Sequence, residues 1–123
     1  MRHTVLAVVA VMLLTAGSAT AHHGYANYVT EGRITIEGDL EDIRLENPHV
    51  VMRIRTADST VYTCVWQSAS WVKMVAHVTA PTFNVGDHLI ITGAPSRNPD
   101  LKELASLREV RRPSDRWVWR ADY

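Results

Sequence analysis

A small closed β-barrel of the oligonucleotide/oligosaccharide-binding type is the fold this sequence predicts: mainly β, five strands, one short helix between strands 3 and 4. Three observations predict it. Apolar and polar residues alternate over several separate stretches from Ile34 onward, the period of strands with one buried face. The first stretch is long and its phase slips midway, as a strand bent by a β-bulge would. A single helical stretch stands between the third and fourth strands, the element order of a five-stranded Greek-key barrel. A small open β-sandwich is the alternative architecture.

Each element has its own justification. Ile34, Ile36, Gly38 and Leu40 share one face of the first strand, and Thr35, Glu37 and Asp39 share the other. Ile43 and Leu45 continue the apolar series out of phase, so a bulge is expected near Glu41 and Asp42. Asn47-Pro48 ends the strand, because Pro48 has no N–H and drives Asn47 toward extended geometry. "HVVMRIRT" is the second strand, with Val50, Met52 and Ile54 on one side and Arg53 and Arg55 on the other. "ADST" turns the chain into "VYTCVWQ", a third strand rich in β-branched and aromatic residues. Ser68 caps a helix from Ala69 to His77. Val72, Val75 and Ala76 fall at helical spacing, as do Trp71, Met74 and Val78, and two apolar series predict a wide buried face. Pro81 stops the helix pattern. Gly86-Asp87 turns into a fourth strand, His88 to Thr92. A polar loop, Asn98 to Lys102, precedes a fifth strand, Glu103 to Val110, and Trp117 to Arg120 is a last extended piece.

The N-terminal end reads as an export signal. Arg2 is followed by a ten-residue apolar run, Val5 to Leu14, and then by small residues up to Ala21. A membrane-spanning helix needs about 20 apolar residues, so a cleaved signal peptide is expected and no membrane span after processing. Ala19-Thr20-Ala21 predicts cleavage after Ala21. The expected organisation is a signal peptide over 1–21, an extended lead-in over 22–33 and the barrel over 34–123. The mature chain would carry 12 basic and 13 acidic residues over 102 positions, a formal charge of −1. A neutral chain is a poor nucleic-acid binder, because that affinity rests on neutralising phosphates. Cys64 is the single cysteine, so no internal disulfide can form. A soluble periplasmic or secreted protein is the expectation.

Three stretches, "AHHGYANY", "IEGDLEDIRLENPHVVMRI" and "FNVGDHLIITGAPSRN", resemble a family of small exported bacterial proteins catalogued as domain of unknown function 6152. The resemblance covers most of the mature chain and implies a periplasmic β-barrel-like domain with no established activity. This sequence departs from the pattern after Trp66, where Gln67 and Ser68 stand in place of an acidic residue. The C-terminal "RRPSDRWVWR" also looks particular to this chain.

Two sets of residues are candidates for chemistry. Cleavage after Ala21 would give His22 a free α-amine, which with its own imidazole can chelate Cu(II). A third nitrogen from His49 or His23 would complete the planar site that Cu(II) prefers. Cleavage after Ala19 would create a different copper-binding end, Thr20-Ala21-His22. Copper is therefore the candidate cofactor and His22, His23 and His49 the candidate ligands. A solvated polar end and a hydrogen-bonded turn histidine explain the same residues without metal, and His77 and His88 are weaker candidates. The second set, Asn47, Trp66, Arg116, Trp117 and Trp119, is a candidate surface for a protein partner or small ligand, since Trp and Arg anchor interfaces. Its structural explanation is an amphipathic edge strand whose tryptophans cover the barrel end. Cys64 shares a face with Tyr62 and Trp66 and reads as a buried, inert thiol.

Enzymatic motifs are missing from the sequence: there is no Gly-x-Ser-x-Gly elbow, CxxC, HExxH or phosphate loop. The expected function is an exported, non-enzymatic binding domain. The alternative is a periplasmic copper-binding or copper-handling protein.

Overall fold

The structure, a computed structural model, describes residues 24–122. A 3-10 turn at Tyr25–Asn27 is followed by β1 (Ile34–Arg44), β2 (Val51–Thr56), β3 (Val61–Val65), helix α1 (Ala69–Val75), β4 (His88–Pro95), β5 (Glu103–Arg112) and β6 (Trp117–Arg120). The strands form one sheet in the order β3-β2-β1-β4-β5-β6. A parallel pairing of β3 with β5, Thr63 opposite Glu103 and Cys64 opposite Leu104, closes the first five strands into a barrel. β6 is an addition, paired to β5 alone. The predicted order and closure are both present, with α1 between β3 and β4.

The bulge lies where the hydrophobic phase slips. β1 skips a residue against β2 between Leu40 and Asp42, so one long strand can serve two neighbours at different angles. Gly38 permits the tightest approach: a Cβ there would sit 2.2 Å from the Arg55 carbonyl oxygen. Inside the barrel are Ile36, Leu40, Val50, Met52, Ile54, Cys64, Leu89, Ile91, Leu104, Leu107 and Val110, closed at one end by Trp66, Val72 and Phe83. No helix among the described residues is long and apolar enough to cross a membrane.

Several local expectations are corrected. The described part of the lead-in contains a 3-10 turn at Tyr25–Asn27 rather than running extended throughout, and Tyr28 then bridges to Ser96. Ile34 is exposed, because it opens β1 opposite Gly93, which has no side chain to cover it. β4 and β5 run on to Pro95 and Arg112. Their register absorbs two extra β5 residues between Ala105 and Glu109, with Ser106 at a left-handed φ of 46°. β2 starts at Val51 and β3 ends at Val65, although bonds between Val50 and Gln67 and between Trp66 and Val50 prolong the pairing. Ser68 does cap α1, accepting from the Trp71 N–H. The helix ends at Val75, however, and His77 takes a left-handed φ of 56° as the Val78 N–H returns to the Val72 carbonyl. Its buried face is also narrow. Val72 is fully buried, whereas Met74 is 71% and Val75 44% exposed. Two turns of helix laid across a barrel end touch it along one line, so much of the apolar surface stays in solvent.

Candidate functional site

β6 alternates strictly. Trp117 and Trp119 point toward the barrel, and Val118 and Arg120 point away. Trp119 packs on Trp66 at 4.9 Å between ring centres and meets Trp71 of α1 edge-on at 5.9 Å. Trp117 meets Phe83 edge-on at 4.9 Å. Both β6 tryptophans thus do structural work over the barrel end, while remaining half-exposed. Trp66 is 3% exposed, which removes it from any contact surface and places it in the core. Trp71, Val75, Trp119, Arg120, Ala121 and Asp122 line a groove of about 310 Å³ between α1 and β6.

Arginines surround this strand in unequal circumstances. Arg112 is held from three sides. Nη1 donates to Asp87 at 2.6 Å and to the Thr82 carbonyl at 2.7 Å, Nη2 donates to Asp115 at 2.8 Å, and the guanidinium lies over the Phe83 ring. The Arg112 hydrogen bond in turn holds the Asp115 carboxyl below its ordinary value. Glu109 is shared between two guanidiniums, Arg120 at 2.6 Å and Arg111 at 3.2 Å. Arg116 sits exposed at the turn with a left-handed φ of 62° and no ion pair among the described residues. From Arg108 to Arg120 there are five arginines against two acids, Glu109 and Asp115, a formal excess of three. Arg111, Arg112, Pro113, Arg116, Trp117, Val118 and Arg120 border a second depression of about 270 Å³, beside β6 and the turn that leads into it.

The opposite wall of the barrel is different. On its outer face Asp39 stands across from Arg55, and Asp42 across from Arg53. Arg55 also bonds Glu41. His88 lies between two β1 carboxylates, Nδ1 2.8 Å from Asp39 and Nε2 2.8 Å from Glu37. Both ring nitrogens can donate only in the imidazolium form, so these hydrogen bonds, that to Glu37 first, raise the pKa of His88. On the outer face the cross-strand pairs of β2 and β3 are Val51–Val65, Arg53–Thr63 and Arg55–Val61, with no aromatic among them, while Tyr62 pairs with the buried Ile54 on the other face.

His22 and His23 lie outside the described residues. His49 is exposed, and its Nδ1 is 3.1 Å from the Trp66 carbonyl oxygen. A carbonyl oxygen can only accept, so Nδ1 is the donor, and Nε2 has no hydrogen-bond partner among the described residues. The Tyr25 hydroxyl accepts from Gln67 Nε2 at 3.2 Å, and the Gln67 carbonyl accepts from the N–H of Val50, the neighbour of His49. No group of three or more His, Cys, Asp or Glu suited to a metal occurs among the described residues. Asn47 exchanges long hydrogen bonds with Ser70, 3.4 Å each, and so ties the β1–β2 connection to the start of α1. Cys64 is fully buried, and desolvation pushes its thiol up to about 12. Trp71, Val75, Val118 and Arg120 were not among the residues singled out by pattern. Helical spacing assigned the first two to the core, and the last two gain meaning only once β6 is seen as an edge.

A model of a family of unknown function, DUF6152, matches residues 9–105. The chain belongs to that family. No curated protein matches the sequence. The DUF6152 match ends just inside β5, so most of that strand and the whole of β6 lie beyond it. The resemblance seen in the sequence is therefore correct, and the arginine- and tryptophan-rich hairpin falls outside the matched stretch.

Proposed function

We propose that this DUF6152 protein is an exported, non-enzymatic binding domain that uses the β6 side of the barrel to hold a protein partner. The observation that carries this reading is the combination found about β6: half-exposed Trp71 and Trp119 with exposed Val75 along the groove, and exposed Val118 with Arg116, which has no ion pair among the described residues, beside the second depression. Apolar area with arginine beside it is the composition of an interface centre. Nucleic acid is not the partner in this reading. The β2–β3 face lacks the aromatic platform that single strands stack upon, and acids oppose its arginines. A photo-crosslinking residue at position 118, expressed in a bacterial host that exports the protein, tests the reading. It should trap a discrete partner that the same residue at position 58, in the β2–β3 turn, does not. Equal, diffuse labelling from both positions would overturn it.

A second reading, copper binding by His22, His23 and His49, is favoured by one specific arrangement. His49 donates through Nδ1 to a backbone carbonyl, the outer-sphere bond that orients a metal-ligating imidazole and presents Nε2. The Tyr25–Gln67–Val50 bonds tie the start of the described chain to the residue beside His49. Mass spectrometry of the native mature protein should then find one copper per chain, lost in His49→Ala. Equal copper uptake by the wild type and His49→Ala would remove this reading and leave the first intact.

A further inference from the structure

We infer that the free edge of β6 receives an extended, acidic segment of the partner as an added strand, an inference that deepens the binding reading above and rests on it. The hydrogen-bond phase of the β5–β6 pair carries the inference. The Ala121 N–H donates to the Arg108 carbonyl at 2.9 Å, which makes that pair a hydrogen-bonded one. Pairs alternate along an antiparallel ladder, so Trp119–Val110 and Trp117–Arg112 are also hydrogen-bonded, and Val118–Arg111 and Arg120–Glu109 are not. The N–H and C=O groups of Val118 and Arg120 therefore point away from β5. Among the described residues no strand lies on that side of β6, and none of these four groups has a backbone partner. A row of alternating donors and acceptors at strand spacing is matched by another backbone strand.

The surroundings specify what that strand carries. Side chains of an added strand alternate between its two faces. One face would lie over the apolar groove of Trp71, Val75, Trp119 and Ala121, where Asp122 is the one acid. The other would lie beside the depression bordered by Arg111, Arg116 and Arg120, whose acids are Glu109, already shared by two arginines, and Asp115, committed to Arg112. The fitting sequence alternates apolar residues with Asp or Glu. In the symmetric register centred on Val118, a second copy of this chain is a poor occupant. Antiparallel β6 against β6 centred on Val118 would set Arg116 of each copy opposite Arg120 of the other, and like charges placed opposite one another are destabilising.

The test uses the mature protein and a peptide that alternates valine with glutamate, titrated while amide hydrogen exchange is followed by NMR. The Glu peptide should bind with slowed exchange at the Val118 and Arg120 amides, and the Lys counterpart should not bind. Methylating alternate peptide nitrogens should abolish binding. The double variant Arg116→Glu, Arg120→Glu should weaken the Glu peptide by about tenfold or more and accept the Lys peptide instead. Binding without protection of those two amides, protection of them in the free protein through dimerisation, or uptake onto phosphatidylglycerol vesicles in place of the peptide would each overturn strand addition. A partner crosslinked from position 118 alongside any of these results would leave the binding reading standing, whereas no crosslink and no peptide binding would end both.

Discussion

Two walls of one barrel carry arginines in opposite conditions. On the β1–β2 wall, Arg53 and Arg55 are placed across the ladder from Asp42 and Asp39, and Glu37 and Asp39 embrace His88. On the β5–β6 wall, Glu109 serves two arginines and Arg116 has no ion pair among the described residues. The first wall lies within the stretch matched by the family, whereas β6 lies past it. The difference teaches that charge on a sheet is a property of register. Arg55 finds Glu41 at the bulge and Arg53 has Asp42 across the ladder, whereas Arg116, in the β5–β6 turn, has no acid opposite it among the described residues.

The largest break in this comparison comes from the wall that is closed and paired. Gly38→Ala places a methyl against the Arg55 backbone. Chemical denaturation should report a loss of about 3 kcal/mol, the upper end for over-packing. On the other wall, Trp119→Ala removes the ring that joins Trp66 to Trp71. It should cost about 2 kcal/mol, less than a wholly buried tryptophan because the ring is half in solvent. Thermal melting of Arg112→Met should show a loss of about 1–2 kcal/mol. The methionine keeps cover over Phe83 but leaves Asp87 and Asp115 without their cation.

The smaller effects sharpen the contrast. His88 has its pKa raised in the folded protein by Glu37 and Asp39. Its contribution is therefore complete below the unfolded value and fades as pH rises through the folded one. The site is exposed and screened, so the change from about pH 6 to pH 8 should stay under about 1 kcal/mol. His88→Gln should abolish that slope in melts recorded across the range. Arg116→Glu should leave stability within about 0.5 kcal/mol, as an unpaired surface charge does, while reversing the charge preference of any peptide bound at β6. A large loss of stability in Arg116→Glu would mean that this arginine belongs to the fold rather than to a surface.

Much of the barrel was legible in the residues. The bulge followed from the phase slip between Leu40 and Ile43, the helix cap from Ser68, and the left-handed turn from Gly86, whose φ is 95°. The candidate site was legible only in part. Trp117 and Trp119 announced a shared face by alternation, yet alternation is silent on whether that face lies on a core or in solvent. Trp66 looked like a surface candidate and proved to be core, because α1 and β6 close over it from both sides. Met74 looked like core and proved exposed, because a two-turn helix finds only one line of support.

By itself the sequence determined the strand succession, the position of the bend in β1 and the excess of arginine near the C-terminal end, since each depends on residues close together along the chain. Tertiary structure alone decided which wall is charge-balanced, which tryptophan is buried and which backbone groups of β6 point outward. Those outcomes depend on strand register and barrel closure, and a shift of one residue in either would exchange every inward side chain for an outward one.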